Sequence, residues 1–425
     1  MRAALWLIAL FAIAAVSALF AGNNHGTVTL YWPPHRVDLS LNLVLVVVVL
    51  TFITVHLALR ALSALLSIPQ RARGWRLAQR ERAMYAGLMD AWFHLVSGRF
   101  VRARKAAELV ASLEDSVQRS GEQLPHAGRL RAMAHLVAAE SAHAVQDRAR
   151  REGHFEQALA QTTKRDAQEA REGVLMRAAR WAFDDRDATA AMQWLDQLPQ
   201  GAARRTVALR LRFKVARQSR NSRLALETVR LLTKHRSFSE TAGRSIARGL
   251  AIEMIRTAYD QVQIQSVWDS LTPDEQKLPD VAMEAAERLV EFGEDQSLAL
   301  RWVLPVWDTL VQTTEGLTPS QKVRLVRLLE AVFSSAQGAP DATWLARIET
   351  AQMAKPNDAV LQYLAGCVCM RLSLWGKAQQ LLKQSLARLQ DVELQRDAWR
   401  ALAELAEQRN DLQAASEAYK EAAKR

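Results

Sequence analysis

The stretch that most constrains the fold is residues 358–425, which contain one pattern twice at a spacing of 37 residues. The two halves align on Ala378 and Ala415, and small residues then match small residues while large ones match large ones. The other matched positions are Gly366 with Ala403, Cys369 with Ala406, Trp375 with Leu412, Leu382 with Tyr419, and Ser385 with Ala422. A repeat of this length indicates a stack of similar units, each burying its apolar face against the next.

The composition predicts that these units are helical. Only 17 Gly and 11 Pro occur among the 425 residues, too few turn residues for a protein made of short strands. Ala, Leu, Arg, Glu and Gln dominate, and all five are strong helix formers. We therefore expect an all-α fold.

The second half of the pattern, Trp399-x2-Leu402-Ala403-x2-Ala406 and then Ala415-x3-Tyr419, resembles the tetratricopeptide repeat. The resemblance implies helix pairs stacked into an α-solenoid, and it extends to earlier parts of the chain. Further repeats are predicted at Gly98-Arg99-Phe100 with Ala103, at Gly153-His154-Phe155 with Ala158, and at Ala191 and Ala225. We expect one tetratricopeptide-like array over residues 83–425, with less regular repeats in its middle.

Two apolar stretches precede the array. Residues 3–21 contain no charged side chain, and residues 39–59 contain none either. Each is long enough to cross a bilayer core of about 30 Å as a helix. Residues 1–60 are therefore predicted to form an N-terminal transmembrane helical hairpin with a short outer loop. A cleaved signal peptide with Arg2 as its charged n-region is the alternative for the first stretch.

Arginines set the predicted orientation of this hairpin. The loop at residues 22–38 carries one base and one acid, Arg36 and Asp38, whereas six arginines and one glutamate lie within residues 60–82. Because basic residues favour the cytoplasmic side, the loop is predicted to lie outside, with the N-terminus and the array in the cytoplasm.

Small residues recur every four positions in the first apolar stretch, at Ala14, Ala18 and Gly22. Such a face allows another helix to approach closely. The predicted partner is the second span of the same chain, and oligomerisation is the alternative.

The outer loop contains an alternating segment, residues 27–32, which ends at Pro33-Pro34. The alternation predicts an extended segment. Tyr31 and Trp32 are predicted to anchor it at the membrane–water interface, where aromatic residues are enriched.

Residues 61–82 are predicted to form an arginine-rich juxtamembrane segment that is attracted to anionic lipid headgroups. The residues predicted to make this contact are Arg71, Arg73, Arg76, Arg80 and Arg82.

A basic run occurs early in the array. Residues 204–223 contain eight basic residues and no acid, whereas residues 274–295 contain eight acids. The repeat pattern places Arg180, Arg210, Lys214 and Arg217 on one face of the first helices of adjacent repeats, where an acidic partner would bind. A solvated surface laced with salt bridges is the alternative.

No motif for catalysis or metal binding occurs in the sequence. No two glycines are separated by a single residue, which excludes the dinucleotide-binding fingerprint. His135 and His143 lie too far apart on one helix to share a metal, and Cys367 and Cys369 are predicted to be unpaired packing residues. We expect a chain that is not an enzyme and has no catalytic residue, bound metal or required cofactor.

The two apolar stretches, Arg73-Gly74-Trp75 after the second, Gly98-Arg99-Phe100 and the array together resemble the HemY family of proteobacterial inner-membrane proteins. This resemblance implies a location in the bacterial inner membrane and a link to late haem or porphyrin synthesis. An unrelated flavin-dependent oxidase shares the name, but this chain lacks its glycine fingerprint.

Together with this resemblance, these observations predict a two-pass inner-membrane scaffold that gathers cytoplasmic proteins, and the resemblance implies porphyrin-pathway enzymes as candidate partners. Anionic lipid and a second copy of the chain are further candidate partners. A haem- or porphyrin-binding chaperone is the alternative. The net charge of +11 leaves nucleic-acid binding as a third reading, but no aromatic-interleaved basic platform accompanies the charge, and no nucleic-acid partner is expected.

Overall fold

The computed structural model describes residues 2–22, 25–119, 121, 126–163, 167–293, 296–313, 316–334, 340 and 342–424. Their regular secondary structure is helical apart from one two-stranded hairpin near the N-terminus. The predicted helical fold is confirmed in that respect. The chain divides into two compact units, Met1–Ala170 and Arg171–Arg425, so the boundary falls within the stretch that the repeat pattern treats as one array.

The first unit contains both strands. Its elements are α1 (Arg2–Gly22), β1 (Thr27–Trp32), β2 (His35–Ser40), α2 (Leu41–Val96), α3 (Phe100–Arg119), α4 (Ala127–Ala144) and α5 (Arg148–Gln161).

The second unit starts at α6 and consists of helices in the residues that the structure describes. Its elements are α6 (Ala170–Asp184), α7 (Ala188–Asp196), α8 (Gln200–Ala203), α9 (Thr206–Gln218), α10 (Ser222–Lys234), α11 (Glu240–Arg256), α12 (Gln261–Ser270), α13 (Pro273–Gln276), α14 (Pro279–Glu291), α15 (Gln296–Gln312), α16 (Pro319–Phe333), α17 (Ala342–Ala354), α18 (Ala359–Arg371), α19 (Trp375–Leu386), α20 (Val392–Gln408) and α21 (Leu412–Ala423).

The predicted extended segment is strand β1, and it pairs with a second strand that the sequence interpretation missed. β1 and β2 are antiparallel, with Thr27 opposite Ser40 and Trp32 opposite His35. The two prolines, Pro33 and Pro34, form the turn between them, and the peptide bond that joins them is cis.

α2 is 56 residues long and includes the whole predicted juxtamembrane segment, residues 61–82. The Ser40 side chain caps its start by accepting a hydrogen bond from the Leu43 backbone at 3.3 Å. The helix ends before Gly98, whose φ of +71° suits a residue without a side chain. At about 1.5 Å per residue, α2 is roughly 84 Å long.

One apolar segment of α2 is long enough to cross a membrane. Among the described residues, Leu41–Ser63 has the required length and hydropathy, and it is not buried within the protein. α1 contains a shorter apolar segment, Leu10–Leu19. One long apolar helix near the N-terminus is consistent with a membrane anchor, and the two-helix hairpin stays a prediction.

Helices pair along both units. In the first unit, the C-terminal part of α2 packs on α3, and α4 packs on α5. In the second unit, α9 packs on α10, α14 on α15, α18 on α19, and α20 on α21. The first helices of consecutive pairs also touch one another, since α14 contacts both α11 and α16, and α18 contacts both α16 and α20. A continuous core runs along the second unit, with Trp307 and Tyr363 among its largest buried side chains.

Six turns between paired helices share one backbone conformation. The residue with positive φ is Gly98, Gln146, Arg186, Arg220, Ser373 or Asn410. Five positions later, a backbone N–H in the first turn of the second helix bonds back to the turn, and the residue there is Ala103, Arg151, Ala191, Ala225, Ala378 or Ala415. The five alanines are buried, as the repeat pattern predicts.

The predicted repeat at Gly153-His154-Phe155 is wrong in register. These residues lie inside α5, and the turn of that pair is at Gln146, whose φ is +60°. The position that is alanine in the other five pairs is Arg151, which is buried and contacts His143 Nδ1 at 3.1 Å. A turn without glycine gave no sequence signal, and the glycine seven residues later supplied a false one.

Candidate interaction surfaces on the helical array

The four predicted partner-binding residues lie on the first helices of two consecutive pairs. Arg180 is on α6, and Arg210, Lys214 and Arg217 are on α9. All four side chains are exposed, on the opposite side of these helices from their buried residues. We call Arg180, Arg210, Lys214 and Arg217 the basic face.

Three residues of the basic face have partners within the chain. Arg217 donates to Glu253 Oε2 at 2.5 Å, and Arg180 donates to Asp184 at 3.2 Å. Arg210 donates to the Ser237 hydroxyl at 3.1 Å. Lys214 has no ion pair or hydrogen bond with any residue that the structure describes. The basic face is thus partly neutralised, and Lys214 keeps its charge available.

An open groove adjoins the basic face at Arg217. It has a volume of about 950 Å³ and lies between the α9–α10 turn and the α11–α12 pair. Arg220 and Arg223 lie at its rim, and Glu253 lies beside them. The basic residues and the concave shape together suit an extended acidic segment.

The acidic residues of α14 connect neighbouring first helices. Arg256 of α11 and Arg324 of α16 both donate to Glu284, Arg256 Nε at 2.5 Å and Arg324 at 2.7 Å. Asp280 of the same helix accepts from Arg248 at 2.9 Å, and Glu287 accepts from Arg324 at 2.8 Å. The acids of α14 are therefore largely paired with arginines.

Glu284 is buried and ionised. Burial by itself would raise the pKa of its carboxyl, but hydrogen bonds from Arg256 and Arg324 outweigh burial and lower the pKa below its ordinary value. This carboxylate thereby joins three consecutive first helices.

A second groove lies between α16, α18 and α20. Its volume is about 350 Å³, and its lining combines Trp375 with the charged residues Arg371, Asp397 and Arg400. At its base, the Tyr363 hydroxyl donates to Glu330 Oε1 at 2.8 Å. Burial raises the pKa of Glu330, although the hydrogen bond from Tyr363 opposes that shift.

Both cysteines are free and are packing residues, as predicted. Cys369 is fully buried in α18, and Cys367 is half-buried beside Glu330. Burial raises the pKa of both thiols, which disfavours the reactive thiolate.

The structure brings together two histidines that are distant in sequence. His135 Nδ1 of α4 lies 3.2 Å from His154 Nδ1 of α5, and His154 Nε2 lies 3.3 Å from Glu108 of α3. Burial, His154 and Arg131 lower the pKa of His135 to about 4. The sequence interpretation compared His135 with His143 because both lie on one helix, and the misplaced turn hid the true neighbour. No group of three or more metal-ligating side chains occurs within the described residues.

The predicted lipid-contacting arginines lie along α2. Arg73, Arg76, Arg80 and Arg82 are exposed, and the side chain of Arg71 lies outside the described residues. In α1, Ala14, Ala18 and Gly22 are exposed and lie on one side of the helix. The helix predicted to pack against these three residues stays a prediction.

Comparisons with known proteins bear on the N-terminal part of the chain. Residues 26–146 match the family model described as HemY protein N-terminus. That region includes the hairpin, all of α2 and α3, and α4. A search of curated proteins gave no match.

Solved structures with low similarity also match. A chain from the structure of Naa15/Naa10 bound to HypK-THB is 12% identical, with a TM-score of 0.26, and the match covers 83% of this chain and 61% of that one. The TPR domain of P58(IPK) is 15% identical, with a TM-score of 0.23, and the match covers 77% of this chain and 99% of that one. Both TM-scores are below 0.5, so neither match supports a functional argument.

The family match agrees with the resemblance that the sequence carries at Arg73-Gly74-Trp75 and Gly98-Arg99-Phe100. Residues 26–146 of this chain are thus similar to the N-terminal region of the HemY family.

Proposed function

We propose that this protein is a membrane-anchored scaffold that holds cytoplasmic partner proteins beside the bacterial inner membrane. The observation that carries this proposal is α2, a single helix that includes the apolar segment Leu41–Ser63 and then forms the first helix of the first pair. Because no flexible linker intervenes, the helix pair is held directly at the anchor. Confinement at a surface raises the effective concentration of bound partners without any catalytic group on the scaffold itself.

The proposed anchor is a two-pass hairpin, with α1 as the first span and Leu41–Ser63 as the second. α1 is 21 residues long and its described side chains are exposed, which suits a helix surrounded by lipid. The arginines after the second span favour a cytoplasmic array. Reporter fusions at the N-terminus, after Gly26 and at the C-terminus test this topology, since the proposal requires an outer reporter to be active only in the middle fusion.

The proposed partner surface is the basic face together with the groove beside Arg217. Lys214 has its charge free, and Arg220 and Arg223 extend the positive surface into the groove. An acidic segment of a partner would pair with these residues, and binding would weaken as salt screens the charges.

Crosslinking in intact membranes followed by mass spectrometry would identify the partners. We expect charge reversal at Arg210, Lys214 and Arg217 to remove at least one crosslinked protein. Charge reversal at Lys383 and Lys420, two exposed lysines near the C-terminus, is the control. If the basic-face variant retains every partner, the proposed surface is wrong.

The similarity of residues 26–146 to the HemY N-terminal region adds a proposed class of partner, the enzymes of late haem or porphyrin synthesis. In this proposal the chain holds those enzymes and binds no cofactor itself. A Soret-band titration of the purified protein with haem and with protoporphyrin tests that point, and saturable binding would favour a porphyrin-binding chaperone instead.

A further inference from the structure

The strand register divides the hairpin into two chemically different faces. Alternate residues of a strand point to opposite sides, and residues opposite each other on paired strands share a side. Val28 lies opposite Leu39, Leu30 opposite Val37, and Trp32 opposite His35. One face therefore carries five apolar residues, with His35 beside the turn as its one polar member. We call the five residues the apolar hairpin face: Val28, Leu30, Trp32, Val37 and Leu39.

The other face is polar, and its groups bond to one another. The Thr29 hydroxyl donates to Asp38 Oδ1 at 2.7 Å, and Arg36 Nε donates to the same oxygen at 3.3 Å. Thr27, Tyr31 and Ser40 complete this side of the hairpin. The charges of the loop are thus confined to the face opposite the apolar one.

The part of the apolar hairpin face nearest the turn is exposed among the described residues, whereas Val28 and Leu39 at its base are half-buried. Leu30 is 52% exposed, Trp32 78% and Val37 49%, which is unusual for three adjacent large apolar side chains in one small sheet. An isolated two-stranded hairpin is at best marginally stable in water, so this one needs a surface against which its apolar side can pack.

The location of the hairpin indicates what that surface is. Strand β2 ends at Ser40, and α2 begins at Leu41 with the apolar segment Leu41–Ser63. The Leu41 backbone donates to the Gly26 carbonyl at 2.8 Å, which joins the base of the hairpin to the start of this segment. The apolar face therefore begins where the apolar helix begins, which in the proposed anchor is the level of the lipid headgroups. Tryptophan is favoured at that level because its ring is apolar and its N–H can still bond to water.

We propose that the apolar hairpin face lies flat on the outer leaflet of the membrane, with Leu30, Trp32 and Val37 inserted between the headgroups and Thr29, Tyr31 and Arg36 facing water. This inference rests on the proposed membrane anchor, and it assigns the aromatic contact to Trp32 and not to Tyr31. Because the hairpin then stays on the membrane surface, it limits how far α2 can move along its axis through the bilayer.

Single cysteines on the two faces test the proposal. In a background with Cys367→Ala and Cys369→Ala, the variants Leu30→Cys and Val37→Cys report on the apolar face, and Thr29→Cys and Tyr31→Cys report on the polar face. Spheroplasts that carry each full-length variant are treated with a membrane-impermeant maleimide, and the labelling rate is measured. The same reaction in denaturing detergent gives the rate for a fully accessible thiol.

We expect the thiols of the polar face to react at least tenfold faster than those of the apolar face, with equal rates in detergent. Equal rates for all four variants in spheroplasts would overturn the proposal while leaving the anchor intact. If no variant is labelled until the membrane is permeabilised, the loop lies in the cytoplasm, and the proposed topology fails instead.

Lipid nanodiscs separate a lipid surface from a protein partner. The purified variants in nanodiscs contain no other protein, and we expect the apolar-face thiols to stay protected there. Protection in spheroplasts that is lost in nanodiscs would mean that another protein covers this face, and the lipid proposal would be wrong.

Discussion

At Gly366 the packing of α18 on α19 leaves no room for a side chain. A Cβ atom there would lie 2.7 Å from Leu382 Cγ and 2.9 Å from Leu382 Cδ2, and Leu382 is itself fully buried. Gly366 and Ala403 match in the 37-residue pattern because both are small, and at Gly366 the distance between α18 and α19 leaves room only for a residue without a side chain. Where the aligned residue is glycine, the two helices approach too closely for alanine.

We expect Gly366→Ala to lower the free energy of unfolding by about 1–3 kcal/mol, because overpacking outweighs the better helix propensity of alanine. Gly376→Ala is the matched control, since a Cβ at Gly376 would meet no atom within 4 Å. This control should be neutral or stabilising by up to about 1 kcal/mol. Thermal unfolding followed by circular dichroism measures both, and equal melting temperatures for the two variants would contradict the close contact.

His135 makes the stability of the first unit depend on pH. Its pKa is about 4 in the folded protein and has an ordinary value of 6.5, so the unfolded chain binds more protons between these values. The stability that neutral His135 contributes is present above pH 6.5 and is lost as the pH falls from 6.5 to 4. The loss should be on the order of 1 kcal/mol, because partial exposure of the ring screens the effect.

His135→Gln should reduce the difference in melting temperature between pH 7 and pH 5. His25→Gln, an exposed histidine in the outer loop, is the control and should keep the parental difference. If the melting temperature of His135→Gln changes between pH 7 and pH 5 as much as that of the unmodified protein, other groups cause the pH dependence.

Among the elements, α14 is held on both sides by arginine pairs to Glu284. Arg256 donates to it from α11 and Arg324 donates to it from α16. Removing the charge of this buried carboxylate leaves Arg256 without its carboxylate partner and Arg324 with Glu287 alone, which costs more than the loss of an exposed pair.

We expect Glu284→Gln to lower the free energy of unfolding by about 2–4 kcal/mol. Glu240→Gln removes an exposed pair with Arg244 within α11 and should change it by less than about 1 kcal/mol. Because the pKa of Glu284 is lowered, its contribution is present above pH 4.5 and is lost as the pH falls through its folded pKa. Chemical denaturation at pH 7 measures both variants, and an equal, small effect would show that α14 does not depend on this carboxylate.

The elements also show which structural features could be predicted from the sequence. Helix composition and the buried alanines at Ala191, Ala225, Ala378 and Ala415 carry a local signal, so they could be predicted. The Glu284 pairs join residues 28 and 40 positions apart, and their register is known only once the helices are packed. Strand β2 was missed because its apolar residue Leu39 reads equally well as the start of the following apolar helix.

For the whole molecule, we expect two separate contributions to membrane binding: an apolar one from residues 1–63 and an electrostatic one from the arginines that follow. A variant that starts at residue 64 lacks α1, the hairpin and Leu41–Ser63. We expect a carbonate wash to release this variant from membranes, whereas the full chain should stay in the membrane fraction. The exposed arginines Arg73, Arg76 and Arg80 should still draw this variant to anionic vesicles at low salt, at about 1 kcal/mol for each residue.

Vesicle flotation checks the electrostatic part. Neutral lipid, about 0.5 M salt, or replacement of Arg73, Arg76 and Arg80 by Ala should each release the truncated variant, because salt shortens the screening distance and the other two changes remove one of the charged partners. Binding to neutral vesicles would contradict the electrostatic reading. Retention of the variant in carbonate-washed membranes would contradict the assignment of the anchor to residues 1–63.

The unbroken course of α2 also fixes an angle. Successive residues of an α-helix are rotated by about 100° around the helix axis. The side of Leu41–Ser63 that faces its neighbour in the bilayer therefore fixes the direction in which Met84 and Ala91 point, and these two residues are buried where α2 packs in the first unit. A single inserted residue between these regions would rotate α3 and α4 by slightly more than a quarter of a turn around α2, while seven would return them to within roughly 20°. The number of residues in this helix therefore fixes the rotation of the packed helices relative to the membrane span, as well as their distance from it.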